Sequence, residues 1–256
     1  MKEFDADLAY VFALLSEISY IDQEPVLVGK LAALGFELVK RLGRSGDLSG
    51  FICRNNEYAV LVFQGTDGRD WQTIKEDLKF WHSRDQGVSY AAGFHDAYCE
   101  LLPGFAEFFD TTQRPIYITG HSLGGAIALI AALNLQPYSF EACYTFGAPR
   151  VCGISGEKHD NGKTIYRIVH ENDVVPSLPL VILGYWPFLG ELVYITAANK
   201  LVRGWRAYAL RILGQTLPIL QKAVFGLPGF ITSHLIGNYI EALHIIIWRA
   251  DRAKRR

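Results

Sequence analysis

The sequence predicts an α/β fold with a mostly parallel central sheet and helices on both faces. Three observations carry this. Strand-like runs alternate with helical stretches, one of those runs is apolar almost without interruption, and half of the 256 residues are hydrophobic. Alternation places parallel neighbours in one sheet, and an unbroken apolar strand is one covered on both faces. The length fits a single domain over 1–256. With 20% charged residues and a formal net charge of −1, the composition excludes a disordered chain. It also argues against nucleic acid as a partner.

Leu8, Val11, Phe12, Leu15 and Ile18 recur at helical spacing, the stripe of an amphipathic helix. Two β-rich runs, residues 50–54 and 58–64, flank Asn55-Asn56-Glu57, which predicts a hairpin. The second run, Tyr58 to Phe63, is the apolar one, and it stops at the loop Gly65-Thr66-Asp67-Gly68. A stretch bearing Trp71 and Trp81 follows, then a polar loop to about Tyr90. Residues 93–109 read as a helix that Pro103 should break or kink. Residues 116–119 read as a strand, 123–135 as an Ala-rich helix, and 141–146 and 164–170 as further strands. Residues 174–233 are apolar, rich in Pro and Gly and without a clean period, room for surface helices, an acyl-binding wall, or both. A last helix is expected over about 235–248.

Charge is unevenly placed. From Lys200 onward ten Lys or Arg stand against Glu241 and Asp251 alone. That excess suits transient contact with an anionic lipid surface, or simply a solvated basic face with a frayed tail. The longest uncharged runs, 174–190 and 223–240, are punctuated by Pro and Gly, so no transmembrane segment is expected. The first residues are acidic where a secretory signal needs positive charge. None of Cys53, Cys99, Cys143 and Cys152 sits in a CxxC pair, so no metal site is suggested. These features predict a cytoplasmic setting, with leaderless secretion as the alternative.

The chemistry concentrates at Gly120-His121-Ser122-Leu123-Gly124, a GxSxG match between a strand and a helix. A nucleophile elbow needs small neighbours so that the backbone can turn tightly and present the serine hydroxyl. Gly120, Gly124 and Gly125 supply that room, and the helix N-terminus behind them favours developing negative charge. His121, adjacent in the chain, reads as shape-filling and not as the base. A serine nucleophile needs a base and an orienting carboxylate, in the chain order Ser, Asp or Glu, His. Asp173, in the loop after the strand ending at His170, is the chosen acid, with Glu171 in reserve. His170 breaks the order and reads as packed or locally paired. Of the two later histidines, His234 stands just before the last helix, where a loop can turn it toward Ser122. His244 reads as a partly buried helix residue.

These motifs, with Phe146-Gly147-Ala148-Pro149-Arg150-Val151, Arg167-Ile168-Val169-His170 and Val174-Val175-Pro176, resemble the class 3 lipase family. The resemblance runs from about Tyr58 to Pro176 and resumes at Ser233 to Leu243. It implies an α/β-hydrolase fold, with Ser122 as nucleophile, Asp173 as acid and His234 as base. It also implies an oxyanion hole from the backbone N–H groups of Thr66 and Leu123, and no metal or organic cofactor. Gln64 stands where the family usually has Arg, and Ala92 where it often has His. A mobile lid is implied over 67–90, and 178–232 is left as an apolar insertion. The expected activity is hydrolysis of lipid esters of acylglycerol type. Alternatives are a phospholipase, a thioesterase or a short-chain esterase on the same site, or a catalytically silent binding protein.

Overall fold

The computed structural model describes residues 3–43, 49–66, 81–135, 139–160, 162–211 and 233–255. Helix α1 (Ala6–Ile18) starts where the Asp5 carboxylate accepts from the backbone N–H of Asp7 and Leu8 at 2.9 and 3.0 Å. Such a cap satisfies donors that the first turn leaves unpaired. The helix buries Ala9, Phe12, Leu15 and Ile18, while Leu8 and Val11 lie at the edge of the contact. Helix α2 (Glu24–Ala33) and strand β1 (Glu37–Gly43) follow, neither of which the periodicity announces.

Strands β2 (Ser49–Arg54) and β3 (Ala59–Phe63) form the expected antiparallel hairpin. The Asn55 side chain fixes its turn by accepting from the N–H groups of Glu57 and Tyr58, both at 2.9 Å. The chain continues through β6 (Ile116–His121), β7 (Ala142–Phe146), β8 (Ile165–His170), β9 (Glu191–Ile195) and β10 (Leu201–Arg203). With β1 to β3 these make an eight-stranded sheet, in the order β1-β2-β3-β6-β7-β8-β9-β10. The run from β3 to β9 is parallel, and antiparallel partners close both edges.

Both faces are covered. On β3, Leu61 and Phe63 join a core under helices α3 (Ala92–Thr111) and α4 (Leu123–Asn134). Val60 and Val62 point the other way, into a core shared with α1 and the last helix, α6 (Ile236–Lys254). The short helix α5 (Glu157–Asp160) lies between β7 and β8. Period-two side chains on a doubly covered strand account for its unbroken apolar run.

Four expectations need correction. Pro103 sits inside α3 without ending it, because Tyr98, Leu101, Phe105 and Phe109 anchor both halves of the helix to one core. The polar loop before Tyr90 contains a hairpin of β4 (His82–Asp85) and β5 (Val88–Ala91). The described part of 174–233 contains β9 and β10, not helices alone, so that segment extends the sheet. The basic C-terminus is helical to Lys254. Of the lid expected over 67–90, residues 67–80 lie outside the described residues, as do 212–232 of the expected insertion.

Candidate active site

Strand β6 and helix α4 meet at Ser122, which adopts φ 56° and ψ −122°. A residue with a side chain rarely holds such a backbone, and strain of this kind concentrates at functional turns. Two glycines make it feasible. A Cβ on Gly120 would strike the backbone of Gly124, and one on Gly124 would strike the Phe63 carbonyl. The Ser122 N–H donates to the Phe146 carbonyl at 3.0 Å, tying the turn to the neighbouring strand.

The structure brings Ser122, His234 and Asp173 into one line. His234 Nδ1 lies 2.8 Å from Asp173 Oδ2, and His234 Nε2 lies 2.8 Å from Ser122 Oγ. A carboxylate only accepts, so Nδ1 donates to Asp173 and Nε2 of the neutral ring accepts from the serine hydroxyl. All three are buried, Asp173 completely. Burial by itself would raise the Asp173 pKa. The electrostatic influence of His234 and the hydrogen bonds from His234 and Tyr239 outweigh it and hold the carboxyl below its ordinary range.

The remaining expected residues fall as follows. Leu123 opens α4 directly after Ser122. Thr66 follows Gly65, whose Cβ position would be 3.4 Å from Ser122 Cβ, so that segment runs beside the serine. His170 is buried in β8 and paired locally with Glu171 at 3.8 Å, and burial lowers its pKa. His244 is exposed on α6 and stacks on Tyr10, which corrects the partly buried reading.

Further contributors were not assigned from the sequence. Tyr239, one turn into α6, donates its hydroxyl to Asp173 Oδ2 at 2.5 Å. Gly147 takes φ +60°, and a Cβ there would lie 2.8 Å from Asp173 Oδ2 and 2.9 Å from the His234 ring. His121 does more than fill space: its Nε2 donates to the His234 carbonyl at 2.7 Å, while Tyr20 donates to its Nδ1 at 2.9 Å. Burial pushes the His121 pKa down to about 3, so the ring stays neutral and can hold both bonds. Gly147 lies within a quoted motif and carried that signal. Tyr20 and Tyr239 carried none.

A serine in a strand-to-helix elbow, with its histidine and carboxylate supplied by later loops, on a mostly parallel sheet flanked by helices, defines an α/β-hydrolase fold. The sequence is similar to the class 3 lipases: the Lipase (class 3) family model matches residues 60–182, just under half of the chain. A secreted mono- and diacylglycerol lipase 1 of Fusarium solani is 42% identical over 56% of this chain and 46% of its own length. A secreted mono- and diacylglycerol lipase 2 of Gibberella zeae is 29% identical, over 62% of this chain and 47% of its own. A fungal lipase–inhibitor complex, described as a model for interfacial activation, superposes with a TM-score of 0.65 at 25% identity. It covers 77% of this chain and 83% of that one. The chain spans about half the length of the curated relatives it matches.

The cytoplasmic expectation is overturned. These relatives are named secreted, which points outside the cell. Cysteine usage was a poor guide because Cys53, Cys143 and Cys152 are buried free thiols. Such thiols pack as small hydrophobes and are inert in either redox setting. Among the described residues, no helix is long and apolar enough to cross a membrane.

Proposed function

We propose that the chain hydrolyses carboxylic esters of lipids, of acylglycerol type, through an acyl-enzyme on Ser122. The observation that carries this is the line from Ser122 Oγ through the His234 ring to Asp173 Oδ2, both hydrogen bonds 2.8 Å. In this reading His234 takes the serine proton as Oγ attacks the ester carbonyl. Asp173 keeps the ring in the right tautomer and stabilises the imidazolium. The backbone N–H groups of Leu123 and Thr66 receive the oxyanion, and losing one such donor typically costs about 2.7–4 kcal/mol. His234 returns its proton to the leaving alcohol, then activates water to release the acid.

The names of the relatives support lipid esters as substrate and an extracellular setting. Contact with a lipid surface is supported by an exposed apolar group near the hairpin. Trp81 and Leu180 to Leu183 are exposed, Ile182 at 87%, and His82 Nε2 contacts the Leu183 carbonyl at 2.9 Å, joining the two segments. The lid over 67–90 remains part of this proposal, since a buried serine must be uncovered before an ester reaches it.

Ser122→Ala tests the reading. It removes one hydroxyl, so the melting temperature should hold while turnover on an acetyl-to-oleoyl ester panel falls to the residue left by binding and the oxyanion donors. A fluorophosphonate probe should label the native protein at Ser122 and not the variant. Undiminished turnover by the variant would end the proposal, and failure to label would favour a silent binding protein.

A further inference from the structure

Behind the Asp173 loop lies a cavity that ester hydrolysis does not use. It has a volume of about 140 Å³, and its walls include Arg150, Arg167 and Arg211 beside Val181, Phe188 and Leu192. Arg167 and Arg211 are only 4% and 7% exposed. Each arginine is held in place by backbone or hydroxyl oxygens. Arg150 Nη1 donates to the carbonyls of Ser177 and Pro179, at 2.5 and 2.7 Å, and Arg167 Nη1 to that of Pro187 at 2.7 Å. Arg211 Nη2 donates to the Asp173 carbonyl at 2.9 Å and to Ser177 Oγ at 2.8 Å.

Among the described residues, no carboxylate comes within 4.0 Å of any of the three guanidiniums. Asp173 acts on Arg211 from farther away, and its carboxylate is already taken by His234 and Tyr239. Residues 212–232, which follow Arg211 in the chain, contain no Asp or Glu. Among the described residues, Arg150 Nε, Arg167 Nε and Arg211 Nη1 are buried donors with no hydrogen-bond acceptor. Buried like charges with unmet donors are costly unless an anion joins them. The strain registers on the groups themselves: burial, with the neighbouring guanidiniums adding to it, pushes Arg150 down to about 10. Arg211 also falls to about 10, again through burial.

We propose that Arg150, Arg167 and Arg211 form a pocket that binds a phosphate-type oxyanion. Guanidinium forks match phosphate oxygens in geometry and charge, and all three arginines line this cavity. The apolar walls suit either a free phosphate or the headgroup of a lipid whose chains leave past Val181 and Phe188. The pocket contains none of Ser122, His234 or Thr66, so it is separate from the ester site.

Calorimetric titration of the purified chain at constant ionic strength tests this, with inorganic phosphate in one arm and a short-chain diether phosphatidate, which has no ester to cleave, in the other. Saturable binding is expected, with chloride inert. Arg150→Gln, the least buried change, should weaken it by about tenfold to a hundredfold, the usual effect of losing a charge-assisted hydrogen bond. Binding of phosphate alone assigns the free ion, and binding of both ligands assigns a lipid headgroup. A second measurement on the native chain avoids variants: phosphate should protect Arg150 from phenylglyoxal, read by peptide mass. Absence of saturable binding in both arms, binding unchanged by Arg150→Gln, or absence of protection would each overturn the proposal.

Discussion

Asp173 lies at the bottom of the candidate site with no exposed surface, so its state depends on the groups that donate to it. His234 and Tyr239 both donate to Oδ2, and the Val175 N–H donates to Oδ1 at 2.9 Å. Tyr239→Phe deletes one of these donors and little volume. A hydrogen bond to a charged group contributes roughly 1.5–3 kcal/mol. Ester turnover should therefore fall by about tenfold or more while the fold persists. The pH dependence follows from the direction of the shift. A carboxyl held low contributes stability that is present above its unfolded value and lost as pH falls through the folded one. Removing Tyr239 Oη raises the folded value, so acid unfolding of the variant should begin at higher pH, as urea midpoints taken from neutral into acid pH will show. The two late histidines give a second comparison. His234→Ala should match Ser122→Ala in lost activity, and the double variant should be scarcely worse than either. His244→Ala should leave activity intact and change stability by no more than about 0.5 kcal/mol, because that ring is exposed. An inactive His244→Ala would reverse the assignment.

At the scale of elements, the elbow works because β6 and α4 approach within backbone contact. The glycines are there for closeness, and only Ser122 carries the unusual dihedral angles. Gly124→Ala would drive a methyl group into the Phe63 carbonyl at the end of β3, separating the elbow from the segment that carries Thr66. Overpacking of this kind typically costs about 1–3 kcal/mol. We expect a lower melting temperature, and a loss of kcat larger than any change in fluorophosphonate labelling extent, since the hydroxyl remains while the oxyanion donors shift. A melting temperature equal to that of the native chain would contradict the close approach. Elements also show where periodicity was a sufficient guide. The β2–β3 hairpin, β6, α4, β7 and β8 were legible because each is a short apolar run ended by turn residues. Strands β1 and β10 were not, since both lie at sheet edges and, apart from Leu42, hold exposed or half-buried residues with no apolar alternation.

The molecule as a whole carries an uneven surface. Trp81, Leu180 to Leu183, Phe188 and Trp205 are exposed apolar residues, and from Lys200 onward ten Lys or Arg stand against two acidic residues. An exposed apolar group of this kind marks an interaction face more often than chance. Rate measured against a sparingly soluble ester, taken through its solubility limit, should rise at the limit. Ile182→Ser and Trp81→Ser should flatten that rise without lowering turnover of a dissolved short-chain ester. Smooth saturation below the limit, unaffected by either change, would leave an ester site indifferent to interfaces. Salt should weaken binding to anionic vesicles in so far as the basic residues take part.

The sequence alone determined the α/β class, the parallel centre and the elbow, because local spacing encodes strands, helices and tight turns directly. It also singled out Asp173 and His234, since chain order and position at strand or helix ends leave few candidates. Only the tertiary structure decided who supports them. Tyr239 reaches Asp173 across 66 residues, and Tyr20 reaches His121 across 101, both through packing of α1 and α6 on one face of the sheet. The grouping of Arg150, Arg167 and Arg211 is of the same kind, three residues from separate segments meeting around one cavity. Hydrogen bonds and charge act over a few ångströms in space, and nothing in local periodicity states which distant residues will come that close.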